Sequence, residues 1–432
     1  MSLPDIDRQV LVLALARMVD AVGNSFLIVV LPLYIASEAI TPGTLSVSDA
    51  LLTGLVLSMF GLFNSVVQPF AGRASDRAGK RKIFVLIGLA ILTVTNGAFA
   101  FVGSELSLLA IRIAQGIGVA FTIPATLALV NELSTTATRG GSMGVFNTFR
   151  LLGFGAGPIA AGAVVSTGPY RLAIADVAVQ LSGFDAAFFI AAITALGGFL
   201  LVTLFVSDPE STHADAGDDL TVSVLADAGD EQLLDSVFTL GVATLVMAIS
   251  IALISTIQPA VNTRLDQGPT LFGIEFGVFV LVQVVLQVPI GSASDRHGRK
   301  PFIVWGLALL VLATFVQGLV VAPWQMIAAR AVQGIAAAFV FAPALALAGD
   351  LATDGQSGTT LAVLTMAFGL GTALGPLSSG FLIQYGFLTP FAFGAALAAV
   401  GAILVATQVE ETVTSGSTAT TNVSDTGEIP ED

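Results

Sequence analysis

Long apolar runs alternate with short polar stretches along the whole chain. The runs fall at about 10–36, 50–71, 83–103, 106–131, 142–165, 185–206, 237–259, 271–290, 302–322, 324–349, 358–384 and 387–407. Each is close to the ~20 residues that carry an α-helix across a bilayer. The pattern predicts an all-α membrane protein with twelve transmembrane helices. The first run contains Arg17 and Asp20. It is also too long for a signal-peptide core, so it is read as a membrane helix.

Composition agrees with that pattern. Hydrophobic types make up 55% of the 432 residues and charged types 11%. The mean hydropathy is +0.91. A soluble protein carries about 25% charged residues, so this chain cannot coat a water-facing surface of ordinary size. A soluble enzyme and a nucleic-acid binder are excluded, the latter also by the net charge of −14. There is no cysteine, which rules out disulfides and thiolate metal sites. His213 and His297 both fall in predicted loops, so no buried histidine relay is expected. No Walker loop and no metal-ligand spacing is present. No cofactor, metal or catalytic activity is expected.

The acidity is concentrated. The segment 207–236 holds Asp208, Glu210, Asp215, Asp218, Asp219, Asp227, Asp230, Glu231 and Asp235, and no base. The tail 408–432 holds Glu410, Glu411, Asp425, Glu428, Glu431 and Asp432, again with no base. Without these acids the formal charge is +1. Lysine occurs only at Lys80, Lys82 and Lys300. Acid-rich, lysine-poor soluble parts fit either a halophilic archaeon's cytoplasm or plain disordered linkers.

Arg8, Arg73, Arg77, Lys80, Arg81, Lys82, Arg139, Arg296, Arg299 and Lys300 lie on one side of the predicted spans; only Arg171 and Arg264 lie on the other. By the positive-inside rule, both termini and the acidic linker are cytoplasmic in the cell membrane.

The chain also repeats. Gly72-Arg-Ala-Ser-Asp76-Arg-Ala-Gly79-Lys-Arg-Lys82 returns as Gly291-Ser-Ala-Ser-Asp295-Arg-His-Gly298-Arg-Lys300, 219 residues on. Arg112, Gln115 and Gly116 return as Arg330, Gln333 and Gly334, 218 residues on. Gly153, Gly157, Pro158 and Gly162 return as Gly371, Gly375, Pro376 and Gly380 at the same offset of 218. Three matches at one offset predict two homologous six-helix halves, the plan of a secondary transporter. The expected divisions are 1–206 and 237–407 for the bundles, 207–236 for the acidic linker, and 408–432 for an acidic, disordered tail.

These residues resemble the major facilitator superfamily over essentially the whole chain up to the tail. The loop after span 2 resembles its motif A in both halves: Gly72, Asp76, Arg77, Gly79, Lys80 and Arg81, then Gly291, Asp295, Arg296, Gly298 and Arg299. Arg112, Gln115, Gly116 and Gly118 resemble motif B. Gly144, Gly153, Gly157, Pro158 and Gly162 resemble the antiporter motif C, with Ala161 in place of one glycine. Leu31-Pro32-Leu33-Tyr34 is similar to the drug-exporter pattern at the end of span 1. The resemblance implies a monomeric exporter of the drug:proton antiporter kind and names no substrate.

Physical roles follow for each group. Gly72 and Gly79 suit a tight turn, and Lys80, Arg81 and Lys82 an anionic membrane surface. Asp76 suits a helix N-terminus; the resemblance implies the start of span 11 near Gly358, and the repeat pairs Asp295 with the start of span 5 near Gly141. The glycines around Pro158 suit either a pliable gate against the C-terminal half or plain close packing. Asp20 is the only acid near the middle of a span. Burial favours its protonated form and Arg17, three residues earlier, its charged form. A proton carrier, a structural ion pair and a substrate contact all remain open. Arg112 suits proton coupling, or satisfaction by Gln115 and backbone carbonyls. Arg330 is its counterpart, and Glu275 lies at similar depth. Arg150 either lines the cavity or snorkels to the surface. Asn24, Asn64, Gln68, Gln258, Asn262, Gln283 and Gln287 suit the cavity or helix contacts.

The sequence therefore reads as a secondary active transporter working by alternating access, exporting small apolar or cationic molecules for protons. Its partners would be the substrate, protons and lipid, with sodium left open as the coupling ion. Two alternatives stand beside it. Four intramembrane arginines against one mid-span acid fit an organic-anion or metabolite transporter. A non-transporting receptor or scaffold could use the same fold.

Overall fold

The computed structural model describes residues 6–37, 40, 45–135, 138–174, 177–209, 224–226, 232–351 and 357–412. Much of the acidic linker and the tail from 413, with His213, lies outside this range. The described helices of the first half are α1 (Arg8–Ala36), α2 (Asp49–Ala78), α3 (Arg81–Ala98), α4 (Glu105–Glu132), α5 (Arg139–Thr167) and α6 (Gly183–Phe205). Those of the second are α7 (Ser236–Thr256), the short α8 (Gln258–Leu265), α9 (Pro269–His297), α10 (Arg299–Gln317), α11 (Pro323–Leu351), α12 (Ser357–Leu382) and α13 (Leu388–Gln408). Apart from α8, these give twelve helices long and apolar enough to cross a membrane. Their starts are set locally. Ser104 and Ser182 close capping boxes ahead of α4 and α6. Asp7, Ser48 and Asp235 cap α1, α2 and α7.

Four features depart from the expectation. The motif A residues are helical as far as Ala78 and His297, so Gly72 and Gly291 are not in a turn. The turn falls on Gly79, at φ 60°, and Gly298, at φ 95°, where a side chain would be strained. Tyr170–Ile174 and Val177–Leu181 form an antiparallel pair, β1 and β2, where only a loop was expected. The short α8 occupies most of the stretch after the run at 237–259, where only a loop was expected. His297 ends α9 rather than lying in a loop, and it is exposed.

The bases gather at one end of the bundle, here the basic end; β1 and β2 mark the opposite, hairpin end. At the hairpin end one apolar cluster joins both halves. It contains Phe26, Val30 and Leu31 of α1, Phe188 of α6, Ile254 of α7, Ile257 between α7 and α8, Val261 of α8 and Phe272 of α9. A cluster that includes Val10, Leu13, Val85, Leu129 and Val202 belongs to the first half alone. Between membrane helices such a cluster holds by van der Waals packing, since lipid is as apolar as the side chains.

Candidate functional site

Two helix pairs form the seam between the halves. In the first, Ser58 of α2 donates a hydrogen bond to the Ala373 carbonyl of α12, and Gly54 and Gly61 lie against the α12 backbone at Pro376 and Ala373. In the second, Gly162 of α5 lies against Pro269 and Thr270 of α9; a Cβ there would stand 2.5 Å from the Pro269 oxygen. Gly273 of α9 lies against the Pro158 carbonyl. Ser166 and Thr270 hydroxyls share a hydrogen bond of 3.1 Å, and the Phe154 and Phe276 rings meet at 5.6 Å. All these contacts lie in the middle and hairpin-end portions of the helices. Nearer the basic end, Gly144 has open space where a Cβ would stand.

The motif C stripe divides its work. Gly153 sits on the Met18 carbonyl and Ala21, and Gly157 on Val22 and Ser25, all in α1 of the same half. Only Gly162 and the Pro158 backbone reach α9. Gly371 and Gly375 repeat the arrangement on α7, and Gly380 meets α2 at Ala50. Gly153 and Gly157 thus fasten α5 to α1, while Gly162 and the Pro158 backbone lie against the C-terminal half. Close backbone approach needs glycine at these positions because any Cβ would overlap a carbonyl.

Asp20 is buried, and its described partner is Arg17, which donates from Nη1 to Asp20 Oδ2. Both border a small pocket of about 10 Å³ formed with Leu13, Ala16, Val85, Leu89, Thr122, Thr126 and Val202. The pair thus points among α1, α3, α4 and α6, inside the first half and away from the seam. Arg17 also lies near enough to Arg150 for their charges to interact. Arg150 is half-buried and donates from Nε (3.1 Å) and Nη2 (2.9 Å) to Asn147 Oδ1.

Arg112 is buried and internally satisfied. It donates from Nε to the Val56 carbonyl (3.2 Å) and from Nη1 to Gln115 Oε1 (2.8 Å), and lies 4.6 Å from the Phe60 ring centroid. Gln115 Nε2 continues to Asn96 Oδ1 at 2.5 Å, and Asn96 Nδ2 to the Ala191 carbonyl at 3.0 Å. Four helices are tied through this one guanidinium. Arg330 repeats the design with Gln333 and Phe279, at 4.5 Å. Its Nε and Nη2 have no hydrogen-bond partner, and neither does either carboxyl oxygen of buried Glu275. The two residues are not ion-paired.

Motif A builds an ion-pair network in each half. Arg81 is buried and pairs with Asp76 and, at 3.1 Å, with Glu132 at the end of α4. It does not lie on the surface with exposed Arg77 and Lys80. Burying a guanidinium requires acids beside it, and Asp76 and Glu132 supply them. In the second half Arg299 pairs with Asp295 at 3.0 Å and with Asp350 of α11, while Arg296 is exposed. Asp76 and Asp295 are thus engaged by arginines of their own halves. Gly72 packs on Pro124 and Gly291 on Ala342, each beside a helical proline. Sequence reasoning missed Glu132 and Asp350, although they stand 218 residues apart, at the repeat offset. It also missed two clamps: Asp208 accepts from the Lys82 amide at 2.7 Å, and Glu411 from the Lys300 amide at 2.9 Å. The first residues of the linker and tail therefore cap the starts of α3 and α10.

The amides of Asn64 and Gln68 on α2 return as Gln283 and Gln287 on α9, 219 residues on and half-buried. They lie towards the basic end, past the tightest seam contacts. Gln258 is fully buried instead.

Comparison with known proteins agrees with this geometry. The Major Facilitator Superfamily model matches residues 13–237 and 240–424. The chain is 22% identical to the Quinolone resistance protein NorA of Staphylococcus aureus over 93% of this chain and 97% of that one. It is 25% identical to the Multidrug resistance protein MdtG of Proteus mirabilis, over 87% and 89%. It is 38% identical to the inner membrane transport protein YajR of Escherichia coli over 25% of this chain, which is only 24% of that relative's length. Among solved structures, a bacterial homolog of the human lysosomal transporter Spinster, inward-facing and occupied, superposes with TM-score 0.72 at 14% identity, covering 94% of this chain and 96% of that one. The human organic anion transporter does so with TM-score 0.64 at 20% identity, covering 92% and 99%. At those identities the likeness is one of fold. Twelve spans in two pseudo-symmetric halves, glycine seams repeated at one offset and a family match along nearly the whole length lead to one conclusion: the chain belongs to the Major Facilitator Superfamily of multi-pass membrane transporters.

Proposed function

We propose that this transporter exports small apolar or cationic molecules in exchange for protons, with Asp20 as the proton site. The observation that carries the reading is the Arg17–Asp20 pair, buried in the middle of α1 beside the α1–α5 glycine contact. A carboxylate there is tolerated because Arg17 faces it. Protonation removes that attraction, leaves Arg17 repelled by the like charge of Arg150 with no counter-ion, and changes the balance of forces on α1. Met18, whose carbonyl carries Gly153, lies two residues from Asp20. A proton at Asp20 therefore acts on the contact that sets the tilt of α5 against the seam. Arg112 serves as a fixed charge that holds α2, α3, α4 and α6 as one body.

The multidrug and quinolone resistance names of the relatives support the efflux reading. The internal hydrogen bonds of Arg112 and Arg150 weaken the case for an arginine-lined anion site. The half-buried amides on α2 and α9 offer neutral polar contacts suited to varied substrates. By the base count, the basic end faces the cytoplasm.

The test uses proteoliposomes with an imposed proton gradient and a lipophilic cationic dye, comparing the parent with Asp20→Asn. Gradient-driven flux should be present in the parent and fall at least about tenfold, the equivalent of ~1.4 kcal/mol, in the variant. Parent-like flux in Asp20→Asn would rule out Asp20 as the proton site. Flux that follows a sodium gradient alone would replace the coupling ion.

A further inference from the structure

We infer that Glu275 is a second proton-binding residue, in the C-terminal half, and that its proton controls a switchable ion pair with Arg330 at the hairpin-end seam. The inference deepens the proton-coupled reading and rests on it.

Glu275 stands six residues into α9 and Arg330 seven into α11, both counted from the hairpin end. At 1.5 Å per residue both lie about 9–10 Å deep. Each is only 1% exposed. Both oxygens of Glu275 and two nitrogens of Arg330 lack partners. A bare carboxylate in such a place is strongly disfavoured, whereas the neutral acid is far less costly. With both oxygens orphaned, this conformation is the one assigned to protonated Glu275. Gln267 lies beside it, and its buried Oε1 is likewise without a partner. Arg330 needs no acid while it lies over the Phe279 and Phe276 rings, at 4.5 and 5.4 Å, and bonds Gln333.

Loss of the proton changes this balance. The carboxylate and the unpartnered guanidinium nitrogens then attract each other, and a side-chain rotation brings them together. Arg330 is drawn off Phe276, which is also the ring that meets Phe154 of α5 across the seam. Gly273 and Gly277 flank the same turn of α9 and lie against Pro158 and Ile159. The titrating group is thus next to the contact that closes the hairpin end. Protonated Glu275 favours closure; ionised Glu275 favours opening.

Among the described residues, Arg330 is the ionisable group facing Glu275. The hairpin-end half of α5, residues 151–167, carries none. On α1, Arg17 and Asp20 face the other way. Arg264 of α8 donates to the Val320 carbonyl and covers the Phe387 ring. Asp266 is exposed, and residues 310–317 of α10 are uncharged. The first half has Val56 at the position 219 residues earlier, and Arg112 bonds its carbonyl instead. The switch is therefore peculiar to the C-terminal half.

The chain has no cysteine, so labels at Thr167→Cys on α5 and Thr263→Cys on α8, both exposed, report the hairpin end alone. The distance distribution of a spin-label pair would be measured in lipid nanodiscs without substrate, from about pH 5 to about pH 9. In the parent the long-distance population should rise at least about threefold with pH. In Glu275→Gln it should stay low at every pH, and Glu275→Asp should restore the response. The inference is overturned if Glu275→Gln responds as the parent does, if the parent does not respond at all, or if Glu275→Asp fails while remaining monodisperse. No substrate takes part, so a failure of dye export at Asp20 and a failure of this switch are read separately.

Discussion

Arg112 shows how much one buried side chain can organise. It donates to α2 and to Gln115, and through Gln115 it reaches Asn96 and α6. Arg112→Ala leaves the Gln115 side-chain oxygen without a donor in a dry core, while the Val56 carbonyl keeps its helical partner. The expected loss is about 1–3 kcal/mol for the unsatisfied group. Arg112→Lys should not recover it, because a point charge cannot bridge two acceptors as the guanidinium fork does. Thermal unfolding in detergent measures both; a midpoint retained by the lysine variant would show that charge alone suffices. The pairing with Gln115 was legible in the sequence, since residues three apart on a helix share a face. The Asn96 link was not, because it depends on how α3 packs against α4. The burial of Arg81 was also hidden. A basic run beside a membrane span looks like surface charge until the acids from α4 are placed next to it.

At the scale of the element, the motif C helix α5 fastens to α1 through Gly153 and Gly157 and touches α9 through Gly162. Gly157→Val should separate α5 from α1, at a cost of roughly 1–3 kcal/mol for an overpacked contact. Gly144→Ala meets nothing within 4 Å and should be neutral or gain up to about 1 kcal/mol of helix propensity. Equal destabilisation of the two variants in the same unfolding assay would contradict this division of the stripe. Most helix positions could be read from apolar runs: 185–206 became Gly183–Phe205 and 387–407 became Leu388–Gln408. The extra turns of α2 and α9 could not. Helix ends that leave the apolar layer carry charge and lose the hydropathy signal while keeping their backbone hydrogen bonds. The β1–β2 hairpin did leave a trace in the alternation of Leu172, Ile174, Val177, Val179 and Leu181. A reading that looks only for twenty-residue runs passes over it.

For the whole molecule, the halves meet through a continuous apolar cluster at the hairpin end and through the α2–α12 and α5–α9 seams. An alternating-access cycle has to rearrange those seams. Asp20 and Glu275, both buried, occupy different places in this arrangement. Asp20 lies beneath the α1–α5 contact and Glu275 beside the α5–α9 contact, so both act on α5. Proton exchange for substrate is the central claim, and it is tested most directly by running the cycle backwards. Proteoliposomes containing the purified protein would be preloaded with the cationic dye and diluted into dye-free medium. The membrane voltage would be clamped and sodium left out, with internal pH read continuously. The account predicts that the lumen acidifies as dye leaves, in proportion to it, and that Asp20→Asn abolishes both signals together. Dye efflux at the parent rate with no change in internal pH would contradict it.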